Sequence, residues 1–177
     1  MRTEARLQST ENGLVPTGEG WFVLNAREGR WRVWPGVGLR LSFEGDMDFR
    51  QLGVNLVVLA PGEPVGMYHQ EADQEDFLLV AGEALLIVEG EERPLRAWDF
   101  VHCPPQTRHI IVGAGDGPSV VIAVGARAAQ TIRYPVDEAA RRHGGGVETE
   151  TEDPRAAYAH LPPRRWSSYQ AGWLPDL

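Results

Sequence analysis

The feature that most constrains the fold is a series of short apolar segments between residues 21 and 130, separated by Gly- and Pro-containing turns. Regularly spaced apolar runs with this punctuation are typical of β-sandwiches and barrels. None of the intervening stretches has the length and helical period that a βαβ unit needs. The sequence therefore predicts an all-β barrel. The predicted strands are Trp21–Asn25, Trp31–Trp34, Leu39–Phe43, Val54–Leu59, Phe77–Val80, Ala84–Glu89, Trp98–His102, His109–Val112 and Val120–Val124.

The two ends of the chain differ from this region. Residues 1–20 are polar and rich in Gly, and we expect an N-terminal arm. Residues 21–130 form the predicted barrel. Residues 131–177 are predicted to be an extension with short helices at Asp137–His143 and after Asp153, where an N-cap residue precedes Pro.

The extension ends in an aromatic tail. Large apolar side chains are costly to leave in water, at roughly 1.5–3 kcal/mol each. We therefore expect the tail to pack on the barrel or on a partner subunit. Its aromatic residues are Trp166, Tyr169 and Trp173.

Charge and cysteine content limit the binding partners and the cellular compartment that we expect for this protein. The chain has 17 basic residues, all of them Arg, against 25 acidic ones, and a net charge of −8. Such a surface repels phosphate backbones and anionic lipid, so we expect no nucleic acid and no membrane as partner. The single cysteine, Cys103, cannot form an intrachain disulfide, which predicts a cytoplasmic protein.

Four side chains are candidates for a metal site. His69 and Glu71 lie two residues apart and project to the same side of a strand. Glu75 begins the next strand, and His109 opens a later one. If these strands are neighbours, two imidazoles and two carboxylates converge, and a shared divalent cation relieves the repulsion between the two acids. This donor set suits Fe, Mn, Ni, Co or Zn.

Each candidate has an alternative explanation. The acidic residues could line a solvated loop, and the histidines could be hydrogen-bonded structural residues. His102 and Cys103 lie on opposite faces of one strand, so one of them points inward. His102 is therefore a candidate acid–base group in the pocket, although a structural histidine fits equally well.

The segment from residue 50 to residue 125 resembles the cupin superfamily. The first cupin motif contains Gly, His-x-His, Glu and Gly at characteristic spacings, and the second contains Gly-Asp, Pro-x-Gly and His. In the second motif Ala97 or Trp98 replaces the first Gly, and Gln106 replaces the turn Gly. The matching residues are Gly62, His69, Glu71, Glu75, Gly82, Asp99, Pro104 and His109.

The resemblance implies a jelly-roll barrel with a divalent metal held by three histidines and one glutamate. Here Glu71 stands where the second histidine belongs. Glu71 is then either a fourth metal ligand or a general base beside a metal held by His69, Glu75 and His109.

The family hosts many reactions, so its fold does not fix a function. Our first hypothesis is a metal-dependent enzyme acting on a small oxygenated molecule, an oxidoreductase of the dioxygenase type, with Glu71 and His102 as catalytic candidates. The alternatives are a sugar isomerase or epimerase and a non-catalytic small-molecule-binding protein. Family members often pair through edge strands, so we expect a homodimer. Arg96 and Arg108, near the barrel mouth, could bind an anionic substrate or simply solvate the rim.

Overall fold

A computed structural model describes residues 1, 3–45, 49–129 and 131–175. Four parts of the prediction lie outside the described residues: Arg2 of the arm, residues 46–48 and Gln130 of the barrel, and residues 176–177 of the extension. The strands are β1 (Arg6–Thr10), β2 (Gly13–Thr17), β3 (Trp31–Trp34), β4 (Val37–Ser42), β5 (Leu52–Leu59), β6 (Gln70–Glu71), β7 (Glu75–Ala81), β8 (Glu83–Val88), β9 (Glu91–Arg96), β10 (Phe100–Cys103), β11 (His109–Ala114), β12 (Ser119–Ala126), β13 (Ile132–Arg133) and β14 (Arg165–Ser167). The helices are α1 (Glu138–Arg142) and α2 (Pro154–Ala157).

Two antiparallel sheets form the body of the molecule. The larger has seven strands in the order β10-β7-β12-β5-β4-β3-β14, and the smaller has the order β11-β8-β9. Apolar side chains from both sheets share one buried core, to which Val57 and Val121 contribute from the larger sheet and Ile87 and Ile110 from the smaller. The predicted all-β jelly-roll fold is confirmed.

Most predicted strands are present, with differences at polar or marginal segments. Trp21–Asn25 is not a strand, and only Trp21 makes an isolated bridge, to Glu4. Strand β9 was not predicted because its sequence, EERPLR, is polar; it pairs only with β8 and is almost entirely exposed. Within residues 1–20, for which no strand was predicted, β1 and β2 form a hairpin with Thr10 opposite Gly13.

The C-terminal extension begins with two capped helices. The Asp137 side chain accepts a hydrogen bond from the backbone of Ala140, and the Asp153 side chain accepts one from the backbone of Arg155. Both caps satisfy backbone donors that a helix N-terminus leaves open. Helix α2 begins with Pro154, as its sequence predicts.

The aromatic tail lies against its own barrel. Strand β14 pairs with β3, with Trp166 opposite Arg32. Beyond it, Tyr169 and Trp173 pack on the buried Trp31, with ring centroids 6.3 and 5.4 Å away. The tail thus covers the outer face of the larger sheet.

None of the helices in the described part of the chain has the length and apolar character that crossing a bilayer requires.

Candidate metal centre

The two histidines of the predicted site face each other across a short antiparallel bridge. The backbone N–H of His69 donates to the His109 carbonyl at 3.2 Å, and the His109 N–H donates to the His69 carbonyl at 2.9 Å. This pairing holds the two imidazole centroids 4.8 Å apart. The turn before β6 and the first residue of β11 therefore bring together two rings that are distant in sequence.

Both rings are oriented by backbone carbonyls. Nδ1 of His69 lies 2.7 Å from the Met67 carbonyl oxygen, and Nδ1 of His109 lies 2.9 Å from that of Thr107. A carbonyl oxygen can only accept, so each Nδ1 carries the proton that it donates. In the neutral ring, Nε2 is then a lone-pair donor, which is the arrangement that metal-binding histidines commonly show.

Glu75 completes a three-residue cluster. It is the first residue of β7 and lies opposite Cys103 of β10 and Gly125 of β12. Its Oε2 is 3.0 Å from His69 Nε2 and 3.1 Å from His109 Nε2. One ligand atom from each of the three residues lies within 4.8 Å of the others. Two imidazole nitrogens and one carboxylate oxygen form a donor set that suits a divalent transition metal.

Without a cation, protons must hold this cluster together. Burial raises the pKa of Glu75, but hydrogen bonds from His109 and His69 outweigh burial and hold it well below its usual range. Burial lowers the pKa of His109, but interactions with Cys103 and Glu75 outweigh burial and raise it to about 10. The metal-free cluster therefore keeps a proton on His109 at neutral pH, where a bound metal ion would replace it.

Glu71 lies beside the cluster rather than within it. Its Oε1 is 3.8 Å from His69 Nε2, which is beyond hydrogen-bond distance. Burial and the negative charge of Glu75 raise its pKa. Three of the four predicted ligands, His69, Glu75 and His109, are thus in contact, and the fourth is a neighbouring carboxyl group that holds a proton more readily than an ordinary glutamate.

His102, the second predicted catalytic residue, does not join this group. In the pairing of β10 with β7, Cys103 lies opposite Glu75 and His102 lies opposite Asp76. Because side chains alternate between faces, His102 and Asp76 point away from the cluster. His102 Nδ1 is 2.6 Å from Asp76 Oδ1, and the His102 side chain is 51% exposed. The prediction that His102 lines the pocket is therefore wrong, and Cys103 is the inward residue.

The cluster opens into a cavity of about 610 Å³. Glu71, Glu75 and Tyr134 are part of its lining, and so are Arg40 and Asn55. The Tyr134 ring is 6.1 Å from that of His69, and burial together with the nearby Tyr158 hydroxyl raises the Tyr134 pKa.

Sequence reasoning missed Tyr134, Arg40 and Asn55, since none belongs to a recognisable motif. The two arginines that it proposed for anion binding lie elsewhere. Arg108 is exposed and pairs with Glu89, and Arg96 is exposed on β9.

Comparison with known proteins agrees with this architecture. Residues 55–125 match the family model described as the cupin domain. No curated protein gave a significant match. Similar solved structures include an RmlC-like cupin from Shewanella frigidimarina, which is 20% identical with a TM-score of 0.52 over 60% of this chain and 91% of that one.

Two further similar structures are described as isomerases. One is a candidate sugar phosphate isomerase from Acidithiobacillus ferrooxidans, 24% identical with a TM-score of 0.50 over 55% of this chain. The other is a sugar phosphate isomerase of the cupin superfamily from Silicibacter pomeroyi, 31% identical with a TM-score of 0.47 over 56% of this chain. The aligned part spans 64% of each of these two chains, less than two thirds of their length. The family match shows that residues 55–125 are a cupin domain, and the solved structures share its fold.

Proposed function

We propose that this protein binds a divalent metal ion through His69, Glu75 and His109 and acts on a small oxygenated molecule bound beside it. The observation that carries the proposal is the convergence of two Nε2 atoms on Glu75 Oε2, at 3.0 and 3.1 Å, while both Nδ1 atoms are occupied by carbonyls. The three converging atoms are free to share one cation.

The reaction class that the site favours is proton transfer at a carbon next to a carbonyl, as in an isomerase or epimerase. A bound metal would act as a Lewis acid that polarises the substrate oxygen. Glu71 is the group that removes or returns the proton, because its raised pKa makes its carboxylate a stronger base than that of an ordinary glutamate. The Tyr134 hydroxyl, on the same cavity, is a second group able to hold a proton.

A dioxygenase is the second candidate. The observation in its favour is that only three residues of the described chain converge, so an octahedral ion would keep positions open for both substrate and O₂. A non-catalytic small-molecule-binding protein is the outcome if neither chemistry occurs.

One experiment separates these three functions. Protein loaded with Mn²⁺ or Fe²⁺ is incubated in D₂O with a panel of hydroxy-ketones and sugars, and deuterium incorporation and O₂ consumption are recorded together. We expect deuterium incorporation without O₂ consumption. Consumption of O₂ would assign the dioxygenase, and binding of a panel compound with neither signal would assign the non-catalytic protein.

Glu71→Gln tests the proton-transfer role. It is expected to reduce deuterium incorporation at least 100-fold while metal content stays unchanged. Asp76→Asn is the matched control, because Asp76 points away from the cluster. Loss of metal in Glu71→Gln would instead make Glu71 a ligand.

We also propose that the protein is a homodimer. Strand β10 is the free edge of the larger sheet, and Trp98 and Phe100 beside it are 72% and 64% exposed. Light scattering of the unaltered protein should give twice the mass of one chain. The Phe100→Ser variant should have the mass of a single chain. The mass of one chain for the unaltered protein would contradict the proposal.

A further inference from the structure

Two arginines lie directly opposite each other on the inner face of the larger sheet. Arg32 of β3 pairs with Arg40 of β4, and Arg40 in turn lies opposite Val57 of β5. Val57 and its own partner Val121 are fully buried in the core that both sheets share. Because directly opposite residues share a face, the two guanidinium groups project to the interior side of the barrel.

Neither of these two positive charges has an acidic counterpart among the residues that the structure describes. Within the described ranges, no carboxylate lies at ion-pair distance from Arg32 or Arg40. Nearby Arg127, by contrast, forms hydrogen bonds of 2.6 and 2.7 Å with both oxygens of Glu44. Like charges opposite each other on neighbouring strands are destabilising, and the chain as a whole carries an acidic excess. An unmatched arginine pair facing inward is therefore a cost to the fold unless an anion occupies it.

The environment of Arg32 reflects this excess of positive charge. Burial and the positive charges of Arg40 and Arg164 lower the pKa of Arg32 to about 10. Arg40 is held in place by a hydrogen bond of 3.0 Å from its Nη2 to the Val65 carbonyl. The pair is half-buried and accessible from a cavity.

That cavity connects the arginines with the metal centre. It has a volume of about 280 Å³ and is lined by Arg32, Arg40, Ser42 and Asn55, with Trp166 at its border. The Glu44 carboxylate also lines it, where it pairs with Arg127. Arg40, Asn55 and Arg127 also line the larger cavity that contains Glu71 and Glu75. The two spaces therefore adjoin at Arg40 and Asn55.

We propose that the substrate carries an oxyanion group, a carboxylate or a phosphate, that binds between Arg32 and Arg40 while the rest of the molecule extends to Glu71 and the metal ligands. The contact of the substrate with Glu71 and the metal ligands rests on the proposed function, whereas anion binding between the two arginines does not. Guanidinium groups bind both kinds of oxyanion through paired N–H donors. Ser42 and Asn55, opposite each other on β4 and β5, offer neutral donors in the same cavity.

The first test uses metal-free protein with inorganic phosphate and, separately, oxalate, measured by calorimetry. We expect at least one of them to bind, and we expect Arg32→Gln and Arg40→Gln each to weaken it at least tenfold. Binding of phosphate alone assigns a phosphate, and binding of oxalate alone assigns a carboxylate. Arg93→Gln, an exposed arginine on β9, is the matched control and should bind as the unaltered protein does.

Two results would overturn the inference: neither anion binds, or both arginine variants bind as tightly as the unaltered protein. Arg32→Lys guards against a folding defect, because it keeps the charge and should retain intermediate affinity. In anion-free buffer, Arg32→Gln should melt no lower than the unaltered protein, since it removes one of two facing charges. A lower melting temperature would mean that the arginine is needed for the fold without an anion.

The second test asks whether the two spaces act together. Phosphoglycolate carries a phosphate at one end and a chelating carboxylate at the other. Mn²⁺ should tighten its binding at least tenfold in the unaltered protein but not in His109→Gln, which should keep the metal-free affinity. No tightening in protein that holds Mn²⁺ would overturn the connection. Failure to hold Mn²⁺ would overturn the proposed function alone, because the metal-free result stands on the arginines.

Discussion

The Nε2 atoms of His69 and His109 both face the same oxygen, Oε2 of Glu75. In each ring, Nδ1 donates to the carbonyl of the residue two positions earlier, and Nε2 points to Oε2 of Glu75. The backbone bridge between the two residues fixes this symmetry before any ligand arrives. Preorganised ligands lose little freedom on binding, which favours a tight metal site.

Metal affinity should depend on His109 and not on His102. His109→Gln removes one of three converging ligand atoms and should lower affinity for Mn²⁺ or Zn²⁺ at least 100-fold. His102→Gln alters an outward-facing residue paired with Asp76 and should leave affinity unchanged. Metal content after dialysis against buffered metal, measured by mass spectrometry, checks both. Equal losses in the two variants would contradict the assigned site.

The stability of the metal-free protein should fall as pH rises above neutrality. The folded-state pKa of His109 is raised from 6.5 to about 10, so its contribution is complete below about pH 6.5 and is lost as pH rises towards 10. The depressed pKa of Glu75 contributes above its ordinary value of 4.5 and is lost only in more acidic solution. The melting temperature in EDTA should therefore be highest between about pH 5 and 6.5.

The control for this pH profile is His109→Gln, which should flatten the decline between pH 6.5 and 10. A melting temperature that is constant or rising over that interval in the unaltered protein would contradict the assigned His109–Glu75 pair.

Gln106→Gly should stabilise the protein. Gln106 has a φ of 70°, a left-handed conformation that costs a side-chain-bearing residue about 1 kcal/mol and that glycine adopts freely. The backbone N–H of residue 106 still reaches the Glu71 carbonyl, so only the exposed hydrogen bond from Gln70 is lost. Gln70→Ala is the control, since it removes that same bond alone. Urea unfolding should rank Gln106→Gly above Gln70→Ala, and the reverse order would rule out backbone strain at residue 106.

The tail should contribute to stability through Trp173. Its ring packs edge-to-face on the fully buried Trp31, at 5.4 Å between centroids. Trp173→Ala should cost about 2–4 kcal/mol of unfolding free energy. Val23→Ala, at a residue that is 77% exposed and is not part of the proposed dimer edge, should cost less than about 0.5 kcal/mol. Equal values from urea titrations of the two variants would show that the tail does not anchor the sheet.

Sequence reasoning brought His69, Glu75 and His109 together because their spacing is tied to strand geometry. The same reasoning could not decide between His102 and Cys103, since alternation gives two faces without saying which is inside. Pairing with β7 decides it, because Cys103 lies opposite Glu75. The left-handed φ values of Trp98 and Gln106 show which residues stand at the glycine positions of the second motif.

The N-terminal hairpin carried a signal that was overlooked. Asn12-Gly13 is a dipeptide typical of hairpin turns, and here Asn12 ends the two-residue connection while Gly13 begins β2. The inward arginines had no such signal. In β3 and β4 the apolar side chains Trp31, Leu39 and Leu41 face the tail, and Arg32 and Arg40 face the barrel interior. Because the apolar side of these strands is the outer one, their alternation does not mark the interior.

Strand β14 and the residues that follow it contact both sides of the larger sheet. Trp166 borders the arginine-lined cavity, and the residues that follow cover Trp31 on the opposite side. An insertion directly after this strand is therefore expected to disturb the packing on both sides of the sheet at once.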